Sequence, residues 1–494
     1  MFTAAEIRKY AGIIALVVVY LIADLFLTSR EIYFLNVLPL VLMIVILALT
    51  RLDILFFIIV FCTPLSIPLI NYVRTSPIDF HIPTEPMLFG VMVLLIFKMV
   101  KRGYIDEKVL KHPVTYAILF NLVWIFITSM TSTMPLVSFK FLLARLWFLS
   151  TFYFLAIYVF RQKKNISTFI WCYAIPMMGV ITYSISRHMV FGLFDKQAAH
   201  IVMIPFFRDH TSYGAILSML LFSVAGVSLY RGKNILMKSF FWISLIYILI
   251  GLILSYTRAA WASVLASLTI LVVILLKIKF RYLLLIGLIV GGYFFTQRFE
   301  IQRKLEKNKQ DSSADLAEHV KSMSNITTDD SNLERLNRWT AALRMYREKP
   351  IFGWGPGTYM FEYAPYQLSS KKTLISTNFG DLGNAHSEYI GPLSESGIPG
   401  SLSFILIAVL ALITGFKVFY KLKNKRLKIV VMSFILALIT YLVHGSLNNF
   451  LDTDKASALF WGIIAVFVSL DIYYLPREEF KILKEKAQKV QGSE

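Results

Sequence analysis

A histidine and an arginine beside predicted membrane helices have the clearest potential for chemistry. His386 stands in the polar, turn-rich stretch 384–400, directly before a long apolar run. Histidine is the natural general base near neutral pH. Arg258 stands at a hairpin between two apolar runs, where a charge is costly and therefore points to function. Because a guanidinium group matches phosphate oxygens, the two residue types together predict proton transfer beside a bound phosphate.

Other basic side chains are predicted to lie near the same surface. They are Arg145, Arg208, His210, Arg335 and Arg338. Arg335 and Arg338 are three residues apart in a predicted helix, so they share one of its faces. Several arginines on one membrane face predict the binding of a diphosphate. The alternative for each is a side chain that snorkels to the lipid headgroups or lies on a solvated face.

The composition indicates the class of protein that positions these residues. The chain is 57% hydrophobic and only 16% charged, whereas a soluble domain carries about a quarter charged residues. Apolar runs of about twenty residues recur along the chain, each long enough to span a bilayer as a helix. We therefore predict an all-α polytopic membrane protein with about 12–14 transmembrane helices.

The net charge of +20 is explained by topology. Basic clusters occupy every second connection between the apolar runs, for example at Lys101–Arg102 and Arg161–Lys164. This is the positive-inside pattern of membrane proteins. Nucleic acid is therefore excluded as a partner, and both termini are predicted on the basic side. Cys62 and Cys172 lie in apolar runs and predict neither a disulfide nor a zinc site.

The apolar runs divide the chain into four segments. An N-terminal transmembrane bundle (1–296) precedes a long outer loop (297–399), which carries His386; C-terminal transmembrane helices (400–474) and a basic tail (475–494) follow. The predicted spans lie near 11–28, 32–50, 53–71, 86–101, 113–132, 137–160, 166–190, 212–230, 238–256, 259–276, 281–296, 400–420, 428–446 and 455–474. Because long loops are usually functional or disordered, the outer loop is a candidate for function.

The second part of this loop is predicted to be ordered. "SNLE" (331–334) has the form of a capping box that begins a helix. The amphipathic helix that follows is predicted to place its apolar side chains on one face. These are Leu336, Trp339, Leu343 and Tyr346. Pro350 and "GWGPG" (353–357) end the helix, and the latter is predicted to be a turn because it lacks the lysine of a phosphate loop.

The motif that contains His386 resembles the bacterial O-antigen ligase/polymerase family. His386-Ser387, nine further residues and Gly397-Ile398-Pro399-Gly400 match the pattern H-[NSQ]-x9-G-x-x-[GTY] of that family. "RLNRWTAALRMYREKPIFGWGPGTY" resembles its Arg-Trp helix and P-x-x-G-x-G turn. "SYTRAAW" resembles its S-x-S-R-G hairpin, with Thr257 and Ala259 in place of the usual Ser and Gly. The resemblance covers 250–276 and 333–400 and is elsewhere only topological.

This resemblance implies a transferase in the bacterial inner membrane with its site facing the periplasm. The donor would be a glycan on undecaprenyl diphosphate, the acceptor a hydroxyl of lipid A-core, and membrane lipids would surround both. His386 corresponds to the proposed base, Arg258 to an arginine proposed to bind the diphosphate, and Arg208 more loosely to a second one. Tyr359 and the aromatic residues after it would stack on sugar rings or, alternatively, form a hydrophobic core of the loop.

The family is thought to work without metal, and we predict no cofactor. Asp452-Thr453-Asp454 has the D-x-D form that holds a divalent metal in many sugar transferases, but such triplets are common by chance.

Three alternatives remain beside the ligase. A polymerase would use the same donor and join it to a growing glycan, and a further variant would transfer the glycan to protein hydroxyls. A lipid-linked glycan transporter or flippase belongs to a different class, in which paired half-repeats and broken midplane helices are common. The sequence shows neither an internal repeat nor a central acidic residue, so it favours a transferase.

Overall fold

The computed structural model describes residues 4–71, 80–102, 106–231, 235–278, 292, 296–297, 330–368 and 383–476. The predicted span near 281–296, the first part of the outer loop and the predicted basic tail lie almost entirely outside these ranges.

The described chain is almost entirely helical. Its α-helices are α1 (Ala4–Thr28), α2 (Leu38–Thr50), α3 (Leu52–Cys62), α4 (Thr84–Arg102), α5 (Glu107–Leu110), α6 (Pro113–Met130), α7 (Pro135–Leu149), α8 (Ala156–Val159), α9 (Lys164–Phe191), α10 (Lys196–Ala199), α11 (His210–Arg231), α12 (Ile235–Leu254), α13 (Arg258–Leu275), α14 (Asp330–Glu348), α15 (Tyr359–Glu362), α16 (Ile390–Lys421), α17 (Lys425–His444) and α18 (Asp454–Ser469). π-Helical turns occupy Ser150–Leu155 and Leu470–Tyr474. Two short strands, β1 (Ile67–Pro68) and β2 (His81–Ile82), pair antiparallel with Ile67 opposite Ile82.

Within the described ranges, nine helical segments are long and apolar enough to cross a membrane. They are Pro113–Met130, Pro135–Val159, Lys164–Phe191, His210–Leu229, Ile235–Leu254, Arg258–Leu275, Ile390–Lys421, Lys425–His444 and Asp454–Tyr474. Shorter apolar helices precede them at Ile14–Thr28, Phe34–Thr50 and Leu52–Leu65. The predicted all-α polytopic membrane class is therefore confirmed.

Residues 1–56 form a first compact unit. Its α1 is joined to the 3-10 helix Phe34–Val37 by a hydrogen bond from the Tyr20 hydroxyl to the Leu35 carbonyl, at 3.1 Å. α2 begins with a proline in its first turn, a position where the missing N–H costs no helical hydrogen bond. Most apolar side chains of α1 and α2 are exposed, as expected for helices whose surroundings are lipid.

The second unit, residues 57–494, is built around three helices that are mostly buried by protein: α11, α17 and α18. α17 packs along α11 and also contacts α13 and α16. The Ser267 hydroxyl of α13 donates to the Leu436 carbonyl of α17 at 3.1 Å. α12 and α13 expose most of their surface. The candidate site described below lies at one end of this central group.

At the other end of the helices, the predicted basic connections come together. The Tyr473 hydroxyl donates to Asp106 at 2.9 Å, and Arg161 pairs with the same carboxylate at 3.5 Å. Lys417 forms an ion pair with Asp471 at 2.7 Å. Connections that the charge pattern predicts on one side are therefore neighbours in the structure.

α16 is interrupted at Gly397. Its backbone has φ 68° and ψ −169°, a combination that is essentially restricted to glycine. A Cβ at this position would lie 2.0 Å from the Ile351 carbonyl oxygen, and the next amide, of Ile398, donates to the Pro350 carbonyl at 3.0 Å. The helix thus begins at Ile390, and its break lies within the turn-rich stretch 384–400.

Residues 353–357 form a turn, as predicted, and the turn packs against the segment before this break. The amide of Trp354 donates to the Ser394 carbonyl at 3.0 Å, and the amide of Gly355 donates to the Glu395 carbonyl at 2.8 Å. On its other side, the Thr133 amide donates to the Trp354 carbonyl at 3.0 Å. The turn therefore connects the outer loop both to α16 and to the connection between α6 and α7.

α14 confirms the predicted loop helix, but the predicted apolar face is wrong at Leu343, which is 42% exposed. The fully buried apolar positions of α14 are Ala341, Ala342 and Met345. They form a small core with two tyrosines and an alanine of the same loop, namely Tyr359, Tyr363 and Ala385. The buried face of α14 differs from the predicted one because the small alanine side chains let the helix approach the two tyrosine rings closely.

Candidate active site

His386 lies in a loop whose backbone is fixed on both sides. Its φ of +50° is left-handed, which costs about 1–3 kcal/mol for a residue other than glycine unless its surroundings enforce it. Its amide donates to Asn384 Oδ1 at 3.1 Å, and its carbonyl accepts from Trp339 Nε1 at 3.3 Å. The Ser387 hydroxyl accepts the Tyr389 amide at 3.2 Å at the start of α16. The position of His386 is therefore set by hydrogen bonds.

Glu388 anchors this loop to the connection between α17 and α18. Its buried carboxylate accepts the Tyr441 hydroxyl at 2.6 Å and the amides of Phe450 and Leu451 at 2.8 and 3.0 Å. Burial raises the pKa of Glu388 above its usual value, and the hydrogen bonds oppose that shift. The loop of His386 and residues 445–453 thus form one packed layer.

Arg335 and Arg258 bring two positive charges to this layer. Arg335 Nε donates to the Leu447 carbonyl at 3.3 Å. The pKa of Arg335 is lowered to about 10, chiefly by burial and next by the positive charge of Arg258, while Asp209 acts in the opposite direction. Because both side chains are partly buried, their repulsion is weakly screened. The two positive charges therefore favour the binding of an anion at this site.

The start of α11 supports the hairpin that carries Arg258. Asp209 Oδ1 accepts the Ser212 amide at 2.7 Å and so caps the helix. The Thr257 hydroxyl donates to the His210 carbonyl at 2.7 Å. The hairpin between α12 and α13 is thereby attached to the first turn of α11.

The charges around His386 keep its ring neutral. The pKa of His386 is lowered to about 3, chiefly by burial and next by the positive charges of Arg335 and Arg338. A hydrogen bond to Asn448 and the negative charge of Asp209 act in the opposite direction. At neutral pH the imidazole therefore has a free lone pair that can accept a proton.

Arg338 is buried against the loop that contains His386 and does not lie at an open surface. It is 5% exposed, and its Nε pairs with Glu334 at 2.7 Å. Its Nη1 donates to the Asn384 carbonyl at 3.3 Å, and a Cβ on Gly383 would overlap the guanidinium group. The same group lies 4.9 Å from the ring centre of Tyr363. These contacts orient the backbone next to His386.

Arg145 and Arg208 lie beside Asp452. Arg145 Nη1 donates to the Leu451 carbonyl at 3.2 Å. Burial raises the pKa of Asp452, and the positive charges of Arg145 and Arg208 oppose that shift. Arg208 is exposed, whereas Arg145 is partly buried and also acts on Glu388. The structure thus associates these two predicted residues with the connection before α18.

His210 is a predicted substrate contact at the start of α11, and its ring stacks on that of His200. The ring centroids are 4.0 Å apart and the planes differ by 6°. The positive charge of Arg335 reaches His210 as well as His386. His210 is therefore part of the same electrostatic neighbourhood.

Tyr359 is 2% exposed and lies in the core of the loop. Its hydroxyl donates to the Arg338 carbonyl at 2.9 Å, and its ring stacks on Tyr363 with centroids 5.1 Å apart. This placement favours the alternative reading, a hydrophobic core, over stacking on sugars.

Asp454 of the D-x-D triplet has structural partners. Its buried carboxylate accepts the hydroxyls of Ser66 and Thr84, each at 2.6 Å, and lies 3.5 Å from Lys455 Nζ. Within the described ranges, no three His, Cys, Asp or Glu side chains form a group that could hold a metal ion.

Sequence reasoning missed several residues of this site. They are Asp209, Glu388, His444 and Asn448. Asp209 has a detectable signal, since an aspartate directly before a helical pattern is a typical N-cap. His444 and Asn448, whose side chains lie 3.1 Å apart, have none, because they reach this part of the structure only through tertiary packing.

Together, the fold and the site define a multi-pass membrane protein with a neutral imidazole beside paired guanidinium groups. Residues 243–405 match the family described as O-antigen ligase. This stretch includes Arg258, Arg335, Arg338, Tyr359 and His386. The match confirms the predicted family resemblance over this stretch and supports glycan transfer of the O-antigen ligase/polymerase type. The comparison with curated proteins finds no match.

Proposed function

We propose that this protein is an O-antigen ligase, which moves a glycan from undecaprenyl diphosphate to a hydroxyl of lipid A-core. The observation that supports this most is the partly buried pair Arg258 and Arg335 beside His386. Two like charges at a partly buried site destabilise each other until an anion binds between or beside them. A diphosphate matches this need in charge, and its oxygens match the planar guanidinium fork.

In the proposed reaction, His386 accepts the proton of the acceptor hydroxyl as its oxygen attacks the anomeric carbon of the donor. A new glycosidic C–O bond forms while the C–O bond to the diphosphate breaks. Negative charge develops on the leaving diphosphate, and Arg258 and Arg335 stabilise it. The diphosphate bond already holds the necessary free energy, so no nucleotide is required.

The remaining predicted residues have supporting roles. Further substrate contacts are proposed for Arg208, Arg145 and His210. Among them, Arg208 is the further arginine that binds the diphosphate. Arg338 holds the loop of His386 in place and adds positive charge, and Tyr359 maintains the loop core. We propose that the reaction needs no metal and no cofactor, since arginines supply the positive charge that a metal would bring.

The proposed location is the bacterial inner membrane, with the site on the periplasmic side. The family match and the nine apolar helical segments of the described ranges support a multi-pass protein. The predicted outer connections, among them the loop of His386 and residues 447–453, are neighbours at one end of the helices. The opposite end carries the basic connections, which the positive-inside rule assigns to the cytoplasm.

The proposal is tested with purified protein, lipid-linked donor and lipid A-core. His386→Ala should reduce transfer by at least about 10²-fold, because a general base contributes at least that much. Arg258→Lys should also fail, since lysine keeps the charge but loses the two-pronged fork. Arg347→Lys on the exposed face of α14 is the matched control and should behave like wild type.

The same assay tests metal independence, because addition of a chelator should leave the rate unchanged. Wild-type turnover by His386→Ala would remove this residue as the base. Rescue of Arg258→Ala by lysine would show that a point charge suffices. A chelator-sensitive rate that Mg²⁺ or Mn²⁺ restores would make Asp452 the next residue to study.

A further inference from the structure

Shortly after α14, the outer loop has an exposed apolar tip. The tip is residues 350–352, a proline, an isoleucine and a phenylalanine. Ile351 is 56% exposed and Phe352 is 43% exposed. Two adjacent large apolar side chains gain free energy when an apolar neighbour covers them. The level of the tip relative to the bilayer determines which neighbour is available.

The contact of the tip with α6 gives this level. Phe352 stacks on Trp124, with ring centroids 5.7 Å apart and planes that differ by 11°. Trp124 lies six residues before Met130, the last residue of α6, which is about 9 Å along the helix axis. At the opposite end, His112 directly precedes α6 and pairs with Asp471 among the basic connections. Trp124 is twelve residues from His112, or about 18 Å. Because the hydrocarbon core of a bilayer is about 30 Å thick, the stacked rings lie at a level inside its outer half.

Hydrogen bonds attach the tip to the break in α16. The Ile398 N–H donates to the Pro350 carbonyl at 3.0 Å, and Trp124 Nε1 donates to the Ser396 carbonyl at 2.7 Å. Inside a bilayer, backbone groups at such a break need protein partners because the lipid offers none. The tip and Trp124 supply these partners, and α16 then continues as an apolar helix to Lys421. The tip therefore lies where this membrane span begins.

The residues on either side of the tip suit the boundary between lipid and water. Lys349 precedes the tip, and its Nζ lies 4.0 Å from the ring centre of Trp354, which follows the tip. The Trp354 carbonyl accepts the amide of Thr133, in the connection just outside α6. Tryptophan is enriched at membrane interfaces, and a lysine there keeps its charge in water while its stem covers apolar surface. The tip thus lies between two residues that are typical of the interface.

We propose that residues 350–352 insert among the acyl chains of the outer-leaflet phospholipids and anchor the outer loop to the bilayer at the break in α16. The level of Trp124 favours lipid, since a soluble partner does not reach the hydrocarbon core. A second copy of this chain is the other occupant available at that depth, and the test distinguishes it. The inference goes beyond the proposed function and requires neither a glycan donor nor a catalytic role for His386.

The test measures which molecules collide with a spin label on the tip. The full-length protein, with Cys62→Ala and Cys172→Ala, carries a nitroxide at Phe352→Cys in vesicles of phosphatidylethanolamine and phosphatidylglycerol. Power saturation in electron paramagnetic resonance compares two collision partners. Oxygen concentrates in lipid, whereas a nickel chelate stays in the water on both sides of the membrane. We expect oxygen collisions to exceed chelate collisions severalfold.

Leu343→Cys is the matched control. Leu343 belongs to the same loop and is 42% exposed, almost the same as the 43% of Phe352. It lies on α14 beside the exposed Arg344 and Arg347, a charged surface that suits water. A label at this position should collide severalfold more with the chelate than with oxygen.

Either of two results overturns the proposal. Equal access of the chelate to the labels at Phe352 and Leu343 would place the tip in water. Little collision with either reagent at the tip would show that protein, such as a second copy of this chain, covers it. Should Phe352→Cys fail to fold without its stack on Trp124, the label at Ile351→Cys decides, with the same expectation. None of these outcomes depends on turnover, so loss or retention of transfer by His386→Ala leaves the result unchanged.

Discussion

A neutral histidine beside guanidinium groups is a poor base until an anion arrives. Burial and the charges of Arg335 and Arg338 hold the pKa of His386 far below its ordinary value, and basicity falls with pKa. A bound diphosphate would neutralise the arginines and so raise that pKa. In the proposed mechanism, Arg335 would then both bind the donor and make His386 basic only when the donor is present.

This coupling predicts two different pH profiles. kcat/KM reports the free enzyme and kcat the enzyme–substrate complex. Protonated His386 cannot accept a proton, so activity is lost as the pH falls through its pKa. We expect the acidic limb of kcat/KM well below the value of about 6.5 for ordinary histidine, and the limb of kcat at higher pH. Measuring both profiles for the purified protein checks this. Coincident limbs near 6.5 would show that neither burial nor the arginines act on His386.

At the scale of elements, the break in α16 fixes the position of the loop that contains His386. Residues 390–396 are helical before the break, and the turn 353–357 pairs with residues 394 and 395. α14 reaches the same loop through the hydrogen bond from Trp339 to His386. Three elements that are distant in sequence thus meet around Gly397, and the position of His386 depends on all of them.

Gly397→Ala should therefore destabilise the protein. The backbone conformation alone costs a non-glycine residue about 1–3 kcal/mol, and the new Cβ would overlap the Ile351 carbonyl. We expect a lower midpoint of thermal unfolding in detergent and a loss of transfer activity. Gly391→Ala, in the same helix, is the matched control, because its Cβ would only reach ordinary contact with Ala385 at 3.6 Å. Equal unfolding midpoints for the two variants would show that the break tolerates a side chain.

At the scale of the whole molecule, the sequence predicts the spans well and the contacts poorly. Hydropathy places α6, α9 and α11–α13 within a few residues, because the bilayer thickness sets their length. The capping box predicts the existence of α14, which depends on local sequence. Its buried face is not predictable in this way, since Leu343 is exposed and the alanines are buried for reasons of docking.

In the candidate site, too, residues with a local sequence signal are predicted, whereas residues that depend on tertiary contacts are not. His386, Arg258 and Arg335 are found from residue type and motif, and the structure places them together. Glu388 accepts the amide of Phe450, 62 residues away in sequence, and this contact depends on how the connection after α17 packs against the outer loop. No local pattern encodes that distance. The capping role of Asp209, by contrast, is local, since its carboxylate accepts the Ser212 amide.

The choice between ligase and polymerase is also a property of the whole molecule. In the proposed mechanism both reactions use the same donor and the same base, so variants of His386 or Arg258 cannot separate them. A ligase must admit lipid A-core, whereas a polymerase must admit a second undecaprenyl-linked chain, and the two acceptors differ in lipid bulk and in phosphate number.

We predict that cells lacking this protein keep long glycan chains on undecaprenyl diphosphate and carry none on lipid A. Extraction of both lipid pools, followed by sizing of their glycans, measures this directly. Cells that produce His386→Ala at normal abundance should show the same pattern, because the loss is chemical rather than structural. Accumulation of single repeat units on the carrier would instead identify a polymerase, since ligation cannot lengthen a chain before transfer and its absence would leave chain length on the carrier unaffected.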